Sequence, residues 1–109
     1  YAPARLRRLL SDASTRPDWI GFDVKALPED LPSVAGVSNA VAARMWESLD
    51  LVCGAAREHG MGLQLRTTLW PGSVIEQHLA QLQGAVAQRG HELVLQWARG
   101  VDDRGVYSA

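Results

Sequence analysis

A chain of 109 residues with 47% apolar and 21% charged residues has the composition of one small folded domain, not of a disordered chain. Its net charge of −1 argues against nucleic acid or an acidic membrane as partner, and its apolar runs fall short of the ~18–20 residues that a spanning helix needs. The single cysteine, Cys53, excludes an internal disulfide and any cysteine cluster made within these residues. A cytoplasmic setting is the expectation from that cysteine count.

The chain opens on Tyr1-Ala2-Pro3, without a methionine, and reads as if cut from something longer. A helix is expected over residues 3–14: Pro3 suits a first turn, Leu6, Leu9 and Leu10 make an apolar stripe, and Arg5, Arg7 and Arg8 face water. A connector containing Pro17 separates it from the stretch around which the rest is organised, residues 19–25. There Ile20, Phe22 and Val24 alternate with Trp19, Gly21, Asp23 and Lys25, the pattern of a strand with one face for a core and an acid and a base on the other.

Residues 26–37 hold two prolines and a glycine and read as a loop at the C-terminal end of that strand, where α/β proteins keep ligands. A long helix follows over about 39–59, with Ser38 or Asn39 as cap, an apolar stripe through Val41, Met45, Leu49, Val52, Cys53 and Ala56, and Gly60 as stop. Cys53 is read as packing. Residues 62–70 alternate again: Leu63, Leu65 and Leu69 take one face, Gln64, Arg66 and Thr68 the other. Ser73 and Glu76 match a capping box that opens a helix through Ile75, Leu79, Leu82 and Val86 to Gly90. Residues 91–98 give a third strand, with Leu93, Leu95 and Trp97 on one face, and 100–109 read as a loose tail. His59, His78 and His91 show no ligand spacing and are assigned to the surface, and Trp46 and Trp97 to the core.

Helix, strand, helix, strand, helix, strand favours parallel strands joined by crossovers in one α/β domain spanning 1–109. Strands of a doubly covered parallel sheet read as continuous apolar runs. These do not: Asp23, Lys25, Gln64, Arg66, Thr68 and Gln96 are expected on one side of three neighbouring strands, as on the inside of an open, incomplete barrel. Two cations and a carboxylate there suit a zwitterionic ligand, with Arg66 able to grip a carboxylate and Lys25 to add a point charge. The same spacing also fits an ion pair that merely neutralises a sheet face, and the residues alone leave both open.

Four stretches in order and spacing carry a resemblance: Asp23-Val24-Lys25-Ala26, Val34-Ala35-Gly36-Val37, Leu65-Arg66-Thr67-Thr68-Leu69-Trp70-Pro71-Gly72 and Leu95-Gln96. They resemble the C-terminal half of the radical S-adenosylmethionine activating enzymes, most nearly the activating proteins of anaerobic ribonucleoside-triphosphate reductase, with pyruvate formate-lyase activating enzyme more distant. The resemblance covers about 2–99. It implies half of an incomplete TIM-like parallel βα barrel and the S-adenosylmethionine-binding part of an oxidoreductase. A four-iron four-sulfur (4Fe-4S) cluster there reduces S-adenosylmethionine to a deoxyadenosyl radical, which takes a hydrogen from a glycine of a partner glycyl radical enzyme. Asp23 and Lys25 match the family's Asp-x-Lys pair at S-adenosylmethionine, Arg66 matches an arginine near the methionine carboxylate, and Thr68 and Gln96 are read as lining the pocket. The three-cysteine cluster loop and the glycine-rich strand for the methionine amino group are missing from this chain, and in the family both lie upstream. The chain alone is therefore expected to be inactive, with no catalytic residue and no metal ligand of its own.

Two other readings fit parts of the same pattern. Barrels of the orotidine-phosphate decarboxylase type also use Asp-x-Lys but add an aspartate three residues after the lysine, where this chain has Pro28. A non-catalytic α/β module could instead cover its polar sheet face with a second copy, as a homodimer.

Overall fold

The structure, a computed structural model, describes residues 2–98; the tail read at 100–109 lies outside the described residues. In chain order the elements are α1 (Pro3–Ser11), β1 (Trp19–Asp23), α2 (Leu31–Ala35), α3 (Asn39–His59), β2 (Gly62–Leu69), α4 (Val74–Gln77), α5 (Leu79–Ala87) and β3 (Leu93–Trp97). The three strands are parallel, in the order β1-β2-β3, so each crossover returns the chain to the next position in the sheet. Phe22 pairs with Leu65 and Asp23 with Arg66; on the other side Arg66 pairs with Val94 and Thr68 with Gln96.

Period-two alternation sorts the side chains as expected. Leu65, Thr67 and Leu69 of β2 are buried, with Ile20, Phe22, Leu63, Leu93 and Leu95 packed against the same core. Helix α3 packs on β2 and α5 on β3, and both send apolar residues into that core: Leu49 and Val52 from α3, Leu82 and Val86 from α5. Each such leucine, fully withdrawn from water, contributes roughly 1.5–3 kcal/mol. The opposite face is left open by the described residues. Asp23, Thr68, Val94 and Gln96 are exposed there, and Trp19 keeps 57% of its surface in water. The result is an open three-stranded α/β sheet with α3 and α5 packed on one face.

Local signals set the element ends. The Ser38 hydroxyl accepts from the Val41 N–H at 3.2 Å and caps α3, and Gly60, at φ +70°, closes it by donating its N–H to Ala56 O at 3.0 Å. At the buried contact between α3 and the loop after β1, Trp46 Nε1 donates to Ala26 O at 3.0 Å. No helix among the described residues is long and apolar enough to cross a membrane.

Five local expectations are corrected. Helix α1 stops at Ser11, not residue 14, because Asp12 Oδ1 accepts both the N–H and the hydroxyl of Ser14 and turns the chain away. Residues 26–37 are not all loop: Pro32 sits in the first turn of α2, where its missing N–H costs nothing. The helix expected up to Gly90 breaks at His78 into α4 and α5. Its capping box is not reciprocal, since Ser73 Oγ accepts from the Glu76 N–H at 3.1 Å while Glu76 Oε1 accepts from the Gly72 N–H at 3.0 Å, one residue earlier than the motif requires. Trp97, expected in the core, lies on the sheet edge with 49% exposed.

Candidate functional site

Parallel strands all end on the same side, so the residues that follow β1 and β2 meet there without further design. Strand β1 ends at Asp23, and the Val24 N–H still reaches Arg66 O at 2.7 Å, which holds the departing chain against β2. Val24 then turns into the core while Asp23 and Lys25 remain exposed. Across from them β2 delivers Thr68 and, just past its end, Trp70.

These residues rim a cavity of about 460 Å³. Its polar end is made by Asp23, Lys25 and Thr68. Its apolar remainder comes from Val34 and Ala35 of α2, Val37 in the loop that follows, Val41 and Met45 in the first turns of α3, and Trp70 and Ile75. A site with charge and a hydroxyl at one end and aliphatic and aromatic walls elsewhere suits a ligand that is ionic at one end and apolar at the other.

The five expected site residues do not all reach this cavity. Asp23, Lys25 and Thr68 line it. Arg66 stands behind Asp23, with Nε 3.4 Å from Asp23 Oδ1. That N–H is buried but not aligned on the carboxylate as a hydrogen bond, so the contact is one of charge. Both side chains are partly in water, which limits the pair to at most ~1 kcal/mol. Gln96 sits one strand further away and touches the site only through Thr68, whose hydroxyl donates to Gln96 Oε1 at 3.4 Å. Lys25 has neither ion pair nor hydrogen bond among the described residues and is the cation left for a ligand.

The polar end was legible in the sequence, and of the apolar wall only Trp70, whose place at a strand end fits either packing or a ligand border. The signal for the rest of the wall was the loop position of Val34 to Val37, which marked the segment without saying which side chains turn inward. The sequence pattern also sends all three histidines to the surface, whereas His78 pairs with Asp30 at 2.6 Å across two loops. Cys53 behaves as packing: it is buried, and burial, reinforced by the Asp50 carboxylate and opposed by Arg89 and Arg57, pushes its thiol up to about 11. No group of His, Cys, Asp and Glu among the described residues is arranged to hold a metal ion. Compared with protein-family models, with curated proteins and with solved structures, the chain finds no match in any of the three.

Proposed function

We propose that the chain is the S-adenosylmethionine-binding half of a radical S-adenosylmethionine activase, which raises a glycyl radical on a partner enzyme such as an anaerobic ribonucleotide reductase. One observation carries the reading: Asp23 at the end of β1 and Lys25, two residues beyond it, rim the same cavity as Thr68 of β2, at the C-terminal end of parallel strands. The four sequence stretches that carry the resemblance also fall on this end of the sheet or on its walls. The open polar face supports the barrel part of the reading, because half of a partial parallel βα barrel would present a sheet covered by helices on one side and polar on the other.

The donor set fits S-adenosylmethionine, whose aminoacyl end carries a carboxylate and an ammonium, whose sulfonium adds a positive charge, and whose adenine ring offers a planar face to the apolar walls. Lys25 offers its ammonium to a carboxylate, and Asp23 accepts from an ammonium or from hydroxyls. Arg66 stands beside Asp23 through a charge contact, and Gln96 accepts from the Thr68 hydroxyl. Bound and reduced by one electron, S-adenosylmethionine supplies the hydrogen-abstracting group. These residues do not fit the iron–sulfur cluster: Cys53 is a lone, buried thiol, so the cluster ligands belong to another part of the complete protein.

In the complete, cluster-loaded protein, Lys25→Ala is expected to weaken S-adenosylmethionine binding about tenfold or more, and Arg66→Ala by less, since a charge-assisted contact is worth roughly 1.5–3 kcal/mol. Calorimetric titration measures both, and unchanged affinity in the two variants defeats the assignment. A gene with no Cys-x-x-x-Cys-x-x-Cys upstream of Tyr1 defeats it as well.

A second reading has its own observation. The open face exposes Trp19 and Val94, and among the described residues β1 and β3 each have one unpaired edge, which together offer a surface for a second copy. Sedimentation decides it: a monomer at high concentration removes the self-associating module.

A further inference from the structure

The two walls of the cavity come from segments far apart in sequence, and one contact joins them directly. Asp30 precedes α2, which supplies Val34 and Ala35 to one wall; His78 is the hinge between α4 and α5, and α4 supplies Ile75 to the other. Asp30 Oδ2 and His78 Nδ1 lie 2.6 Å apart. A carboxylate only accepts, so Nδ1 carries the proton and donates it.

Asp30 occupies the position at which an aspartate ordinarily caps its own helix, yet it makes no such bond. Its backbone is helical there (φ −94°, ψ −20°) and its side chain, 13% exposed, reaches across to His78 instead. The backbone on either side is tied down separately. The Val34 N–H donates to Asp30 O at 3.0 Å, and the Leu82 N–H to His78 O at 3.0 Å, so the side-chain contact couples two helical segments whose backbone bonds are each made locally.

We propose that Asp30 and His78 form a clasp that holds α2 against α4 and so sets how far the cavity opens. They are positioning residues, since neither lines the cavity. The gating role rests on the cavity being the ligand site proposed above; the clasp itself does not.

Amide hydrogen exchange of the full chain, read by NMR without ligand, tests it. Val34 in α2 and Gln77 in α4 are the reporters, because their amides are bonded within the two clasped units, to Asp30 O and Ser73 O. Asp30→Ala and His78→Ala are each expected to speed exchange at both reporters about tenfold, the loss expected for a hydrogen bond to a charged group, while Leu65 and Leu69 in the sheet keep their protection. His78→Asn, whose side-chain N–H falls near the place of Nδ1–H, is expected to restore much of the protection. Access is read separately by the alkylation rate of a Val37→Cys thiol on the cavity wall, expected to rise in the same variants. Exchange that stays unchanged at Val34 and Gln77, or that rises equally in the sheet, overturns the clasp, whether or not S-adenosylmethionine is the occupant. Should the alanine variants fail to fold, a His78→Asn protein whose reporters exchange freely beside a protected sheet overturns it too.

Discussion

The two faces of this sheet are built from the same strands and obey opposite rules. On the covered face, Leu65, Thr67 and Leu69 are almost wholly out of water, and each neighbour is fixed by packing. On the bare face, Arg66 and Thr68, interleaved with them in β2, meet other side chains through one charge contact and one long hydrogen bond. A single register therefore separates stability from chemistry residue by residue, and substitutions one position apart should report on different properties.

The largest expected effect is on the covered face. Leu69→Ala opens a cavity beneath α3 and α5 and should cost about 2–5 kcal/mol, read from the denaturant midpoint. Its neighbour Thr68→Ala should leave that midpoint within ~0.5 kcal/mol while weakening ligand binding. Equal losses of stability in the two variants would mean that the bare face is covered in solution, and the comparison between faces would break.

A pH effect sharpens the same contrast from inside the helical layer. Burial holds the Cys53 thiol neutral, with a folded value near 11 against an ordinary 9.0. Below about pH 9 both states keep the proton, and stability is at its full value. Between about pH 9 and about pH 11 the unfolded chain releases a proton that the folded chain retains, so stability falls by roughly 2–3 kcal/mol. Denaturant titrations across this range should show a steeper alkaline loss in the wild type than in Cys53→Ala. Parallel pH profiles would show that the thiol has water at its side and that the layer is looser than its packing.

How much of this was legible in the sequence follows from the physics of each signal. Alternation in β2 foretold its two faces down to the leucines, because a period of two admits only one assignment once one face is buried. It also put Thr67 on the apolar side, where it is buried with its hydroxyl unpartnered among the described residues, although the residue type spoke for the other face. Asp23, Lys25 and Thr68 were found because strand ends in a parallel sheet converge whatever the loops do. Arg66 and Gln96 were expected in the same hollow, but alternation fixes only the face of a side chain, not its height along the strand. Most of the apolar wall was missed for a related reason: α2 and the start of α3 approach the strands through tertiary packing, and no local period records that approach. The Asp30–His78 pair spans 48 residues and has no local signature at all.

The smallest effect probes the one place where the bare face is itself packed. Gly62 lies opposite Trp19, and a Cβ on it would meet Trp19 Cδ1 at 2.7 Å and Asp18 O at 3.3 Å; a Cβ on Gly21 would meet the far end of the same indole at 3.0 Å and an Arg66 guanidinium nitrogen at 3.1 Å. The two glycines make a shallow bed in which the indole lies, its rim near the guanidinium. Because the ring is more than half exposed, it can lift away, so Gly62→Ala should cost only about 1 kcal/mol, much less than overpacking a closed core. Combined with Trp19→Ala, the same substitution should cost less, since only the approach to the backbone Asp18 O at 3.3 Å remains. A thermodynamic cycle over the two positions measures that difference. A full cost for Gly62→Ala that survives removal of the indole would place the constraint in the backbone of the β1–β2 pair, and the bare face would then be as tightly specified as the covered one.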